Sequence, residues 1–181
     1  TDAGANVVLF ARGREGVERE AARLGAVPVA GDVRNLDDLT RLVDTAVERF
    51  GGVDVLVLNS GGPPRTGSFE FTDEQLEDAV QLLLLSSIRL LRLCLPHLER
   101  SPAGRVICIT SSTVKEPVSH LALSNALRPG VTGWAKTLAG ELGSKGITVN
   151  CVAPGRIDTP RMQELYGDAG PGEEVIGQIP L

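Results

Sequence analysis

Three observations in the 181-residue sequence predict an α/β fold, a Rossmann-like, three-layer arrangement with a doubly wound parallel sheet. Short apolar runs alternate with segments of helical period, the pattern of βαβ units with right-handed crossovers. The run 53–58 is almost continuously apolar, as expected of a parallel strand covered on both faces. The residues after the runs are polar or glycine-rich, and in such sheets the loops beyond the strands' carboxyl ends build the ligand site.

The elements follow in order. Residues 1–6 read as the end of a helix turning into a strand, because Gly4 suits a helix terminus and 7–10 is a short apolar run. A polar helix over 14–24 and a second short strand over 27–30 come next. From Asn35 the period becomes helical, with Leu36, Leu39, Leu42, Val43, Val47 and Phe50 on one face. Asn35 is the expected N-cap, Asp37 and Asp38 suit the positive end of the helix dipole, and Gly51 and Gly52 stop the helix. The strand 53–58 runs into a turn sequence beginning at Asn59 and Ser60. Thr72 and Gln75 have the spacing of a capping box, opening a helix to about residue 99 that is apolar almost all round. Such a helix is buried on more than one side, either in the core or at a subunit interface. The β-branched run 105–110 is a strand that delivers Ser111 or Ser112 to the rim of the sheet. A helix over 124–142 ends at Gly143, a last strand covers 147–152, and the remainder, rich in Gly and Pro, reads as a flexible loop or lid.

Bulk properties narrow the function. The length allows one domain over residues 1–181. The net charge of −5 is spread along the chain with no basic stripe, which argues against nucleic acid as a partner. No uninterrupted apolar run approaches the roughly 20 residues of a bilayer-spanning helix, so no membrane partner is expected and a cytoplasmic location is. Cys94, Cys108 and Cys151 are odd in number, far apart and in apolar contexts, which predicts buried thiols. His97 and His120 have no neighbour at metal-ligand spacing, and no metal is assigned.

Four strand ends carry residues suited to a nucleotide: Arg12, Asp32, Asn59 with Gly61, and Pro154 and Gly155 with Thr159. Gly31-Asp32-Val33, the strand 53–58 running into Asn59, Ser60, Gly61 and Gly62, the Thr110-Ser111-Ser112 end, the 146–150 segment and the 154–159 segment are five pieces in one order. In that order and spacing the chain resembles the short-chain dehydrogenase/reductases, in particular the 3-oxoacyl-carrier-protein reductase-like members. The resemblance implies NADP- or NAD-dependent hydride transfer to or from a small carbonyl or alcohol. It sets Asp32 and Val33 against the adenine, Asn59 in support of the strand end near the cofactor, and Ile157 and Thr159 by the nicotinamide carboxamide or pyrophosphate, with Gly61, Pro154 and Gly155 as further cofactor-binding candidates. It also implies a homodimer or homotetramer through the 72–99 and 124–142 helices. Arg12 follows Ala11 where an acid would bond the ribose 2′-hydroxyl, and an arginine there pairs with a 2′-phosphate, so NADP is favoured over NAD. A solvated surface charge is the plain alternative for Arg12.

Two departures stand out. The chain starts at Thr1, after the point where the family has a strand and a Gly-rich turn, so it is expected to be a fragment lacking a central strand and, beyond Leu181, a last one. The catalytic set is also altered. Counting back from the 146–150 segment puts Ser124 and Arg128 at the family's Tyr and Lys positions, and Leu83 falls at the position of its Asn. No Tyr-x-x-x-Lys can be drawn, since the only tyrosine is Tyr166 and Gly170 stands four residues on. Ser112, or Ser111 in the alternative alignment, remains as the family's serine, and a strand-end hydroxyl closing local backbone bonds is the plain alternative for either. Arg128 can hold ribose hydroxyls and also counts as a cofactor-binding residue, but it stays protonated and cannot relay a proton as lysine can. Lys115 and His120 lie in the same loop, and for both a solvated residue is the better reading than a replacement acid. Two other roles stay open: a nucleotide-binding sensor or scaffold without catalysis, and a structural partner of an active relative.

Overall fold

The computed structural model describes residues 3–157, 159 and 167. Among the described residues five strands and five α-helices follow in the order β1 (Val8–Ala11), α1 (Arg14–Leu24), β2 (Val27–Ala30), α2 (Leu36–Phe50), β3 (Val55–Leu58), α3 (Asp73–Val80), α4 (Ser86–Leu98), β4 (Arg105–Ile109), α5 (Ala122–Leu142) and β5 (Thr148–Val152). All strand pairs are parallel, in the Rossmann-like manner expected. The described strands form two sheets, β1 with β2 and β3-β4-β5. In the second sheet Leu58, Cys108 and Cys151 lie in one row across the strands, which brings the ends of β3 and β4 to the same level.

Local chemistry sets the helix ends. The Asn35 side chain accepts the N–H groups of Asp37 at 2.8 Å and Asp38 at 3.3 Å, capping α2. Gly51 closes the same helix in the left-handed region, φ 82°, where a side chain would strain the backbone. Thr72 and Gln75 form the reciprocal capping box of α3.

The helix expected over 72–99 is interrupted. Residues Gln81–Leu85 form a π turn between α3 and α4, in which the Ser86 N–H reaches back to the Gln81 carbonyl. The Ser86 and Ser87 hydroxyls then donate to the carbonyls of Leu82 and Leu83 at 2.6 and 2.9 Å. A single-turn π bulge of this kind inserts one residue into the helix and re-aims the side chains that follow. By length and composition alone the 26 residues Asp73–Leu98 suffice to cross a membrane, although no uninterrupted apolar run does. Four of their leucines, Leu83, Leu90, Leu91 and Leu98, are buried in the fold, while Leu76 is exposed.

The core joins α2 (Leu39, Val43), α4 (Leu90, Leu91, Cys94, Leu98) and α5 (Ala135, Leu142) to Leu56, Leu58, Val106 and Cys108 of the sheet. These three helices therefore cover one face. β3 was expected to be covered on both faces, yet Val55 and Val57, which point away from that core, are 52% and 51% exposed. Alternation along the strand puts every second residue on the face that α2, α4 and α5 do not reach. β5 lies at the edge of the sheet and is exposed along most of its length, which corrects the expectation for Cys151: Cys94 and Cys108 are buried, Cys151 is exposed.

Candidate active site

The end of β2 forms the first part of the site. A Cβ at Gly31 would lie 2.8 Å from the Asp38 carboxyl carbon and from the Phe10 ring, so any larger residue here would displace these two side chains. Asp38, in the first turn of α2, accepts the Asp32 N–H at 2.8 Å. The Asp32 carboxylate is held by Arg34, and this hydrogen bonding, against a smaller effect of burial, lowers its pKa to about 2, with the Arg12 charge adding to the shift. The Arg34 N–H also bonds the Asp32 carboxylate. The N–H of Val33, between these two bonded neighbours, has no partner among the described residues. An ionised acceptor beside an available donor matches the amino group and ring nitrogen of an adenine edge, so this end fits the base of a dinucleotide. Arg12 is exposed and near enough to Asp32 to act on it electrostatically.

The end of β4 forms the second part. Thr110 donates from its N–H and its hydroxyl to the Val152 carbonyl, and the Ser112 N–H donates to the Pro154 carbonyl at 2.9 Å, tying the ends of β4 and β5 together. Ser111 and Ser112 differ sharply. The Ser111 hydroxyl accepts the Thr113 N–H and caps the short 3₁₀ turn Ser112–Val114. Ser112 is exposed, and its hydroxyl makes no hydrogen bond among the described residues. The Thr113 hydroxyl beside it is buried without a partner among those residues.

Ser124 and Arg128 face each other one turn apart on α5, with Arg128 Nε donating to Ser124 Oγ at 3.2 Å. The same guanidinium donates to the carbonyls of Ile109, Thr110 and Gly61 at 3.4, 3.1 and 3.3 Å. Arg128 thus joins the ends of β3 and β4 to α5. A cavity of about 10 Å³ opens at this junction, lined in part by Ser60, Leu83, Ser87, Thr110 and Arg128. That is room for about one water with polar groups around it.

The remaining sequence-predicted residues are less engaged. Asn59, Gly155 and Ile157 are exposed, Pro154 is held through its carbonyl, and the Thr159 hydroxyl donates to the Ile157 carbonyl at 3.2 Å. Leu83 is buried in the π turn. Lys115 and His120 are exposed, and His120 takes a left-handed backbone, φ 61°. Tyr166 and the loop expected over 166–180 lie outside the described residues, except Gly167. Sequence reasoning missed Arg34, whose partners are 2 and 44 residues away, and Ser87, one turn beyond the apolar run. The spacing of Arg34 two residues after Asp32 was the one visible signal.

A family model described as short chain dehydrogenase matches residues 1–169. Dehydrogenase/reductase SDR family member 4 of Oryctolagus cuniculus is 32% identical over 182 residues, covering 97% of this chain and 70% of that protein. Among solved structures, an actinorhodin polyketide ketoreductase variant with NADPH is 36% identical with a TM-score of 0.84, over 99% of this chain and 70% of that one. The NADPH-bound short chain oxidoreductase from Pseudomonas aeruginosa PAO1 containing an atypical catalytic center is 25% identical with a TM-score of 0.85, over 91% of this chain and 67% of that one. The chain thus spans about two thirds of the length of these relatives.

Proposed function

The chain belongs to the short chain dehydrogenase family, and from that premise we propose that its protein is an NADP-dependent oxidoreductase with an altered catalytic set. Its reaction is hydride transfer to or from a small carbonyl or alcohol. The observation that carries this reading is the Arg128 guanidinium, which gathers the ends of β3 and β4 and the Ser124 hydroxyl at one point. Both the ketoreductase and the atypical oxidoreductase it resembles are described with NADPH.

The residues divide the work. At the base end, Asp32 and the Val33 N–H read the adenine edge and Arg12 meets the 2′-phosphate. Asn59, Gly61, Pro154, Gly155, Ile157 and Thr159 border the rest of the cofactor. NADPH, when bound, supplies the hydride. Ser112, exposed and with no hydrogen-bond partner among the described residues, orients the substrate oxygen. Arg128 is a fixed cation beside the place where negative charge develops on that oxygen, and preorganised charge of this kind lowers the barrier without itself losing a proton. The Ser124 oxygen accepts from Arg128, which leaves its O–H as a donor. An aliphatic hydroxyl is a far weaker acid than a phenol, so the proton that completes the alcohol comes from water, through Ser124 or directly.

A second reading, nucleotide binding without turnover, is favoured by one feature: three of the four hydrogen bonds of Arg128 given above go to main-chain carbonyls. A cytoplasmic homo-oligomer built through the 72–99 and 124–142 helices belongs to both readings. The test is NADPH binding by the full-length protein, followed by NADPH oxidation over a panel of small ketones and aldehydes. Turnover that falls at least tenfold in Ser112→Ala supports the first reading. Tight NADPH binding with no turnover on the panel leaves the second, and no binding overturns both.

A further inference from the structure

Arg34 precedes the cap of α2 and is fastened on every side. Its Nε–H meets Asp32 Oδ1 at 3.0 Å and its Nη2 meets Oδ2 at 2.6 Å, a fork on the carboxylate, while its own N–H reaches Oδ1 at 2.9 Å. The other side of the guanidinium reaches Asp78 of α3 through Nη1 at 2.5 Å. The Arg34 carbonyl accepts from Arg89 of α4 at 3.3 Å, and Arg89 holds Gln81 of the π turn at 2.9 Å with the same nitrogen. A solvated arginine has no such anchorage. Arg34 and Asp32 nonetheless keep 33% and 27% of their side chains exposed, so the pair borders open space.

Counting bonds on the carboxylate shows what that border offers. Oδ1 already takes two donors and Oδ2 takes one, so one lone pair of Oδ2 remains to accept a further hydrogen. Beside it stands the Val33 N–H. Acceptor next to donor matches a 6-amino purine, whereas a 6-oxo purine presents an acceptor and an N–H in the opposite order. Without the fork the carboxylate turns about a broad torsion and its direction is lost.

We infer that Arg34 is a positioning residue that fixes Asp32 as the reader of the adenine amino group, so that this chain selects adenine over 6-oxo purine cofactors. The inference rests on the reading of Asp32 given under the proposed function. The test is fluorescence titration of the full-length protein with NADPH and with its reduced hypoxanthine analogue, in wild type, Arg34→Ala and Arg34→Lys. Wild type should prefer NADPH by about tenfold or more, the worth of one charge-assisted hydrogen bond. Arg34→Ala should bring the ratio to about two or less, mainly by weakening NADPH, and Arg34→Lys should fall between, because an ammonium cannot fork. A merely structural role would weaken both cofactors alike and leave the ratio unchanged, which overturns the inference. If Arg34→Ala does not fold, an unchanged ratio in Arg34→Lys is decisive in the same way. Equal wild-type affinity for the two cofactors overturns the inference and leaves NADP binding standing; no affinity for either overturns both.

Discussion

Arg128 Nε lies 3.2 Å from Ser124 Oγ, and its Nη1 and Nη2 donate to the carbonyls of Ile109, Thr110 and Gly61. Arg128 is therefore a clamp between a helix and two strand ends. Removing it leaves those carbonyls short of a donor in a partly buried junction. Arg128→Ala should lower stability by about 2–4 kcal/mol, and Arg128→Lys by less, since a single ammonium cannot span the same acceptors. Urea unfolding of the variants checks this; a loss under about 0.5 kcal/mol would mean that water replaces the clamp at no cost.

The neighbouring serines should separate in their effects. Ser111→Ala removes the acceptor of the Thr113 N–H and should cost about 1 kcal/mol in unfolding free energy. Ser112→Ala removes a hydroxyl with no hydrogen bond to any described residue and should shift stability by less than about 0.5 kcal/mol while reducing turnover. Thermal melts and NADPH oxidation, measured side by side, decide the assignment. The opposite pattern would move the substrate-orienting role to Ser111.

How much of this was legible depended on whether the signal was local. The Asn35 cap, the Thr72 and Gln75 capping box and the glycine stop at Gly51 involve residues within four positions of one another, and each stands where the pattern put it. The break at Gln81–Leu85 was not legible, because a run of four leucines has the same composition in a π turn as in an α-helix. The one-sided burial of β3 was not legible either. Its apolar run is the same whether one face or two is covered, and only the placement of α2, α4 and α5 distinguishes them. The site followed the same rule. That Ser124 and Arg128 stand one helical turn apart was legible from their spacing of four, but that Arg128 reaches Gly61, and Arg34 reaches Asp78, depends on contacts 67 and 44 residues apart.

The cysteines offer a check on the packing of the sheet. Burial pushes the thiols of Cys94 and Cys108 up to about 12, the neighbouring Cys151 adding to the shift at Cys108. Burial raises Cys151 as well, but its side chain is exposed. A thiol reagent needs both the thiolate and access. At pH 8 the native chain should therefore react at Cys151 alone, Cys151→Ser should abolish that reaction, and denaturant should release Cys94 and Cys108. Native labelling of Cys94 or Cys108 at a rate like that of Cys151 would contradict the packing of α4 and β4.

Acid should unfasten the base end of the site first. The hydrogen bond from the Arg34 side chain holds Asp32 at a pKa of about 2, against an ordinary value of 3.8. A folded-state pKa below the unfolded one means that the unfolded chain takes up the proton more readily. The contribution of Asp32 to stability is thus complete above about pH 4 and is lost as pH falls toward 2. Asp32→Asn removes both the charge and the titration, so its penalty relative to wild type should be largest at pH 5 and above and should shrink steadily between pH 4 and pH 2. Glu74, which also titrates in this range and has no contact with Asp32, remains in both proteins and cancels in the difference, whereas Asp38, whose carboxyl the Asp32 charge pushes up, is lowered further in Asp32→Asn and adds a smaller change of its own. Urea midpoints at pH 5, 4, 3 and 2.5 supply the measurement. A penalty that stays constant across this range would show that Arg34 does not hold Asp32 ionised, and would remove the electrostatic support for its role at the adenine edge.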